Sequence, residues 1–119
     1  MASSRRKRPA RARRAKAVLI LVAYPGTEVA VEAARRLVQA GVLACATVTE
    51  GKSFYIWEGR ERTEAGAVLQ GKTTAARARD AQRLIQEAHP DKLPEILVLE
   101  IADGHPGYLA WVAAQVAPR

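Results

Sequence analysis

The sequence predicts an α+β fold, with one four-stranded antiparallel sheet, two helices on one of its faces and an extra helix at the C-terminus. Three observations predict it. Short β-forming runs and amphipathic stretches follow one another in the order β-α-β-β-α-β; a tight polar turn, not a helix, joins the two central runs; and one more helical stretch closes the chain. Two strand–helix–strand halves joined by a hairpin make the split-βαβ, ferredoxin-like arrangement.

Each element has its own signal. Residues 17–23, AVLILVA, form a continuous apolar run, as expected of a strand buried on both faces. Tyr24-Pro25-Gly26 breaks it, and Thr27 is placed to cap a helix running to about Ala40, with Val29, Ala33, Leu37 and Val38 along one stripe. Gly41 is a natural stop. From Val42 to Trp57 the chain is rich in β-formers (Val42, Val48, Phe54, Tyr55, Ile56, Trp57), and Gly51 suggests a bulge or bend. Glu58-Gly59-Arg60-Glu61 reads as the hairpin turn, with a partner strand to about Lys72. Thr73 or Thr74 then caps a second helix through Ala88, whose apolar stripe is Ala81, Leu84, Ile85 and Ala88 and whose wet face carries Arg77, Arg79, Arg83 and Glu87. His89-Pro90 ends it. Glu95 to Ala102 is the fourth strand, and Pro106 follows a turn and starts a helix over residues 107–116.

A chain of 119 residues has room for one core. Its net charge of +7 is localised: residues 1–16 hold Arg5, Arg6, Lys7, Arg8, Arg11, Arg13, Arg14 and Lys16 with no acid, while residues 17–119 set 11 basic groups against all 12 acids. The domain at 17–119 is therefore near neutral, and residues 1–16 read as a disordered basic tail. Binding to nucleic acid or an acidic surface would fall to that tail. The apolar run that follows it is short for a signal core, has no convincing cleavage site and leads into a helix signal, so it reads as a first strand. No apolar run approaches the ~18 residues of a membrane span. A single cysteine, Cys45, excludes an internal disulfide and is compatible with a reducing cytoplasm.

Residues 66–73, GAVLQGKT, satisfy the phosphate-loop pattern G-x-x-x-x-G-K-[ST]. A working phosphate loop follows a buried strand and curls its free N–H groups around phosphate at a helix N-terminus. Here Ala67 to Gln70 is itself β-forming, and antiparallel pairing would occupy those N–H groups. The expectation is strand and strand end, not a nucleotide site.

Several blocks carry a resemblance. LVQAGVLAC at 37–45, SFYIWEG at 53–59, GKTT at 71–74, HPDKLPEI at 89–96 and GHPGYLAW at 104–111 resemble the CutA divalent-cation tolerance proteins, in that family's order and near its spacings, from about Ala17 to Ala113. The resemblance implies ferredoxin-like subunits in a tight homotrimer, tolerance of copper and other divalent ions, and a likeness in architecture to the nitrogen-regulatory PII proteins, with clefts between subunits. The chain departs from the family's usual form at Thr47, where Asn is common, at Gly71, where an apolar residue precedes Lys-Thr, at Asp91 and Lys92, and at His105, which replaces an Asn.

A copper or zinc site needs Cys, His or carboxylate donors that converge. Cys45 and His89 are the soft or borderline donors with family support, although a lone cysteine in an apolar strand is ordinarily a small buried hydrophobe and a histidine closing a helix is commonly structural. A second constellation, Tyr55, Trp57, Lys72, Thr73, His89, Glu95 and Trp111, offers aromatics, a cation, an imidazole and a carboxylate to a cleft between subunits that accepts a metal ion or small anion, as in a PII-like ligand sensor. Packing of a subunit interface is the competing role for Trp57 and Trp111. No nucleophile–base–orienter arrangement is legible, so no enzyme is expected.

Overall fold

The structure is a computed structural model and describes residues 15–118; the tail expected over 1–16 lies, but for its last two residues, outside the described residues. Four strands, β1 (Ala17–Tyr24), β2 (Cys45–Trp57), β3 (Arg60–Thr74) and β4 (Ile96–Glu100), alternate with helices α1 (Thr27–Gln39), α2 (Ala75–Ala88) and α3 (Pro106–Val116). The strands form one antiparallel sheet in the order β2-β3-β1-β4, the ferredoxin-like topology.

The core sits under one face of that sheet. Val18, Ile20, Val22 and Tyr24 of β1 and Ala67 and Leu69 of β3 meet Ala30, Ala34 and Leu37 of α1 and Ala78, Ala81 and Ile85 of α2. The helical contributors recur three and four residues apart, so each helix presents one stripe to the sheet. Ile20, Leu69 and Ile85 are almost entirely removed from water, which stabilises the fold by roughly 1.5–3 kcal/mol for each side chain. On the opposite face, register places Leu19, Lys72 and Cys45 in one row and Leu21, Gln70 and Thr47 in the next. Helix α3 crosses the end of this face, where its Tyr108 meets Cys45.

Several boundaries differ from the sequence reading for local reasons. Gly26, extended at φ −163°, takes the N-cap position and Thr27 is already helical, because Ala30 N–H bonds the Gly26 carbonyl. Gly41, at φ +76°, ends α1 as expected: its N–H donates to Val38 O and that of Val42 to Leu37 O, a Schellman closure. Gly51 is no bulge, since β2 and β3 pair without interruption through Gly51↔Gly66. The hairpin loop is only Glu58-Gly59, both at positive φ as a type I′ turn requires, so Arg60 and Glu61 belong to β3. Strand β3 runs on to Thr74, whose side chain makes no capping bond to α2. Strand β4 is shorter than Glu95–Ala102, because only residues 96–100 lie opposite β1.

GAVLQGKT lies wholly within β3, paired with β2 on one side and, from Ala67 onward, with β1 on the other. Its glycines serve close packing, not phosphate. A Cβ at Gly66 would collide with the Tyr24 carbonyl, and one at Gly71 would stand 2.7 Å from Leu43 Cδ1. The second contact explains the departure at Gly71: Leu43, 1% exposed, fills the space a side chain at 71 would take. Gly71→Val is expected to destabilise by about 1–3 kcal/mol through overpacking. Leu43→Ala frees the space, so Gly71→Val should cost much less in that background than in the unsubstituted chain, and urea melts of both single variants and the double variant should give a clear coupling energy; additive losses would contradict the contact.

Candidate functional site

The expected constellation does not converge within one chain. It divides into three groups at successive levels along the sheet.

The first group gathers around Cys45 at the start of β2. Lys72 lies directly across the ladder from Cys45, and its Nζ donates to Thr47 Oγ1 at 3.3 Å on the same face. Thr47 thus anchors the lysine. Cys45 is a half-buried free thiol. Tyr108 reaches it from α3, and its phenol is raised by partial burial first, then by the charge and hydrogen bond of Cys45. Trp111 stacks on Tyr108 with ring centroids 5.6 Å apart. His105, the other unusual residue here, is a helix cap: its Nδ1 accepts from Tyr108 N–H at 3.2 Å, the bond an Asn side chain would make at that position. Thr73 does not belong to the surface. It is 0% exposed on the core face, and its hydroxyl has no partner among the described residues.

The second group clamps the other end of β1. His89 Nε2 donates to the Ala23 carbonyl at 2.7 Å, its Nδ1 accepts from Asp91 N–H at 3.0 Å, and its ring stacks on Tyr24 at 4.6 Å. These bonds define a neutral imidazole carrying its proton on Nε2. Glu95 contributes its backbone, accepting from Ala23 N–H at 3.2 Å, while its side chain is exposed. Both ring nitrogens of His89 are thus engaged by backbone groups, Ala23 O and Asp91 N–H.

The third group is an arm. Beyond residue 66, counting back toward the turn, β3 leaves β1 and pairs with β2 alone, so residues 51–57 and 60–66 form a two-stranded ribbon. Phe54 and Ile56 are 73% and 72% exposed on one of its faces. Tyr55 and Trp57 occupy the other, where the Tyr55 hydroxyl donates to Glu64 Oε1 at 2.7 Å. Ten residues of extended strand, about 33 Å, separate Cys45 from Tyr55. Among the described residues, no three or more His, Cys, Asp or Glu side chains gather as a metal-binding cluster; the donors of one chain do not fit a closed cation site.

The profile of the CutA1 divalent ion tolerance proteins matches residues 18–115. The chain belongs to this family. It is 31% identical over 97 residues to the divalent-cation tolerance protein CutA of Pyrococcus horikoshii, covering 80% of this chain and 93% of that protein. The corresponding protein of Citrobacter koseri is 32% identical over 101 residues, covering 84% and 88%. Among solved structures, CutA from Synechococcus elongatus superposes with a TM-score of 0.83 at 30% identity, over 87% of this chain and 92% of that one. CutA from Xylella fastidiosa gives 0.82 at 30%, over 85% and 98%. The blocks that carried the resemblance therefore identified both family and fold. What the blocks did not disclose was the Cys45–Tyr108 contact, since nothing in residue spacing ties the start of β2 to a helix more than sixty positions away.

Tyr24 gives this CutA1 chain a testable alkaline limit. Burial pushes its phenol up to about 12, so the folded protein holds that proton more tightly than the unfolded chain does. The stabilisation is complete below the unfolded value of about 10 and is lost as pH rises from there through about 12. Tyr24→Phe should retain the stacking on His89 and flatten the fall in stability between those values. Chemical denaturation across that range checks it, and an identical alkaline fall in the variant would contradict the assignment.

Proposed function

We propose that the protein is a homotrimeric divalent-cation tolerance protein that binds copper, or a related divalent ion, as cargo without catalysing a reaction. The observation that carries the reading is the separation of the donors. One chain offers the Cys45 thiol at one end of the sheet and scattered exposed carboxylates elsewhere, so a site with several ligands requires side chains from more than one copy. The surfaces for assembly are at hand. A two-stranded ribbon is marginal in water by itself, yet this one exposes Phe54, Tyr55, Ile56 and Trp57, and the edge strand β4 exposes Leu97 and Leu99. Apolar surface of this extent, borne by an arm and a sheet edge, calls for burial against identical chains. The two histidines support a role without catalysis, because His89 holds Ala23 and His105 caps α3. The number three comes from the family resemblance. Reduced Cys45 suits work in the cytoplasm, and soft thiolate ligation favours copper.

Light scattering should give three times the chain mass at micromolar concentration. Trp57→Arg, which would bury an unpaired charge in such an interface, should abolish the trimer and leave insoluble or unfolded protein; a stable monomer in the unsubstituted chain sinks the assembly. Isothermal titration with copper should show stoichiometric binding that Cys45→Ser removes and His89→Ala preserves. Undiminished affinity in Cys45→Ser would show that the ion is held by other groups.

A further inference from the structure

The backbone clamp at the end of β1 has a property that neither assembly nor cation binding uses. Both nitrogens of His89 are committed, and they are committed in opposite senses: Nε2–H donates to Ala23 O at 2.7 Å, while the Nδ1 lone pair accepts Asp91 N–H at 3.0 Å. The second bond exists only in the neutral ring. A proton added to Nδ1 sets two N–H groups against each other and leaves the Asp91 amide without its acceptor. The first bond survives protonation, so the ring stays fixed to β1 and stacked on Tyr24 while the chain beyond it loses its hold. That chain is the turn Pro90–Pro94, in which Leu93 is 74% exposed and Asp91 lies within electrostatic reach of Tyr55 on the arm.

We propose that His89 is an acid-operated latch: neutral, it folds the 89–94 turn back onto β1 through Asp91 N–H, and protonated, it releases that turn while keeping its grip on Ala23. The charged groups next to it along the chain are Glu87 on α2, Asp91 and Lys92 in the turn and Glu95 before β4, and Glu32, Arg36 and Glu87 line the groove that Tyr24 borders. A proton on Nδ1 removes the acceptor of Asp91 N–H and leaves the bond to Ala23 in place, so it is the turn that yields. Burial holds Tyr24 neutral far above this range, so the phenol takes no part in the switch.

The test is nitrogen-resolved NMR of the full chain titrated from about pH 8 to about pH 5, the interval in which histidine charge ordinarily changes. At the upper end the imidazole nitrogens should report a protonated Nε2 and a bare Nδ1. As the ring titrates, the protection factor of the Asp91 amide, corrected for the intrinsic exchange rate, should fall by about tenfold, the loss of one hydrogen bond. The amides that close α1 at Gly41 and Val42 should be unaffected. His89→Gln, which cannot titrate, should make Asp91 protection independent of pH. A proton on Nδ1 at neutral pH overturns the proposal, as does constant Asp91 protection through the titration or an equal fall in His89→Gln. None of these readouts depends on the number of chains in the assembly or on metal, so the latch and the trimeric reading stand or fall separately.

Discussion

The pairing of β2 with β3 is the constraint on which the rest of the structure depends. It runs unbroken from Cys45↔Lys72 to Trp57↔Arg60, but β1 supports β3 only from Ala67 onward. One continuous ladder therefore serves two purposes. Its inner half is the centre of the sheet and carries Leu69 into the core; its outer half is a ribbon with no second layer. The turn makes this geometry possible, because Glu58 and Gly59 at positive φ match the twist of the strands and allow the shortest closure. Every candidate site residue takes its position from this ladder or from the β1 strand laid against it.

The ladder also explains why one sequence motif misleads and another set does not. A phosphate loop and a central strand ask opposite things of the same backbone: free N–H groups in the first, paired ones in the second. Once β1 and β2 flank residues 67–72, the glycines of GAVLQGKT are available only as places where Tyr24 and Leu43 can approach closely. The departures from the family's usual residues follow the same logic of local replacement. Leu43 fills what Gly71 leaves empty, Thr47 receives the Lys72 ammonium, and His105 caps α3 with an imidazole nitrogen.

Two ends of the sheet hold distinct chemistry. At one, the Cys45 thiol meets Tyr108 of α3, and the Lys72 ammonium lies across the ladder, held by Thr47. At the other, a neutral imidazole clamps the backbone between β1 and the turn before β4. The separation has a physical cause: His89 ends the helix that returns along β1, so it emerges at the end of the strand opposite to the one where α2 began, beside Lys72 and Thr74. A βαβ half always places the start and the stop of its helix at opposite ends of the sheet. Residues from the two places do not meet within one chain.

By itself the sequence determined the order of elements, the family and the absence of a phosphate loop, because these rest on local periodicity, on turn residues and on short motifs. Gly41 as a stop and Pro106 as a start were legible for the same reason: their backbone preferences act within a turn or two. The tertiary structure alone decided the rest. Thr73 and Lys72 are neighbours in sequence, yet alternation along β3 sends one into the core and the other to the opposite face, and only the register with β1 says which. His89 could be read from the sequence as a metal ligand or as a helix-end residue; the positions of Ala23 and Asp91 around its ring made it a clamp. Long-range placement of this kind is set by packing of whole elements, and no residue's own chemistry encodes the partner it will meet.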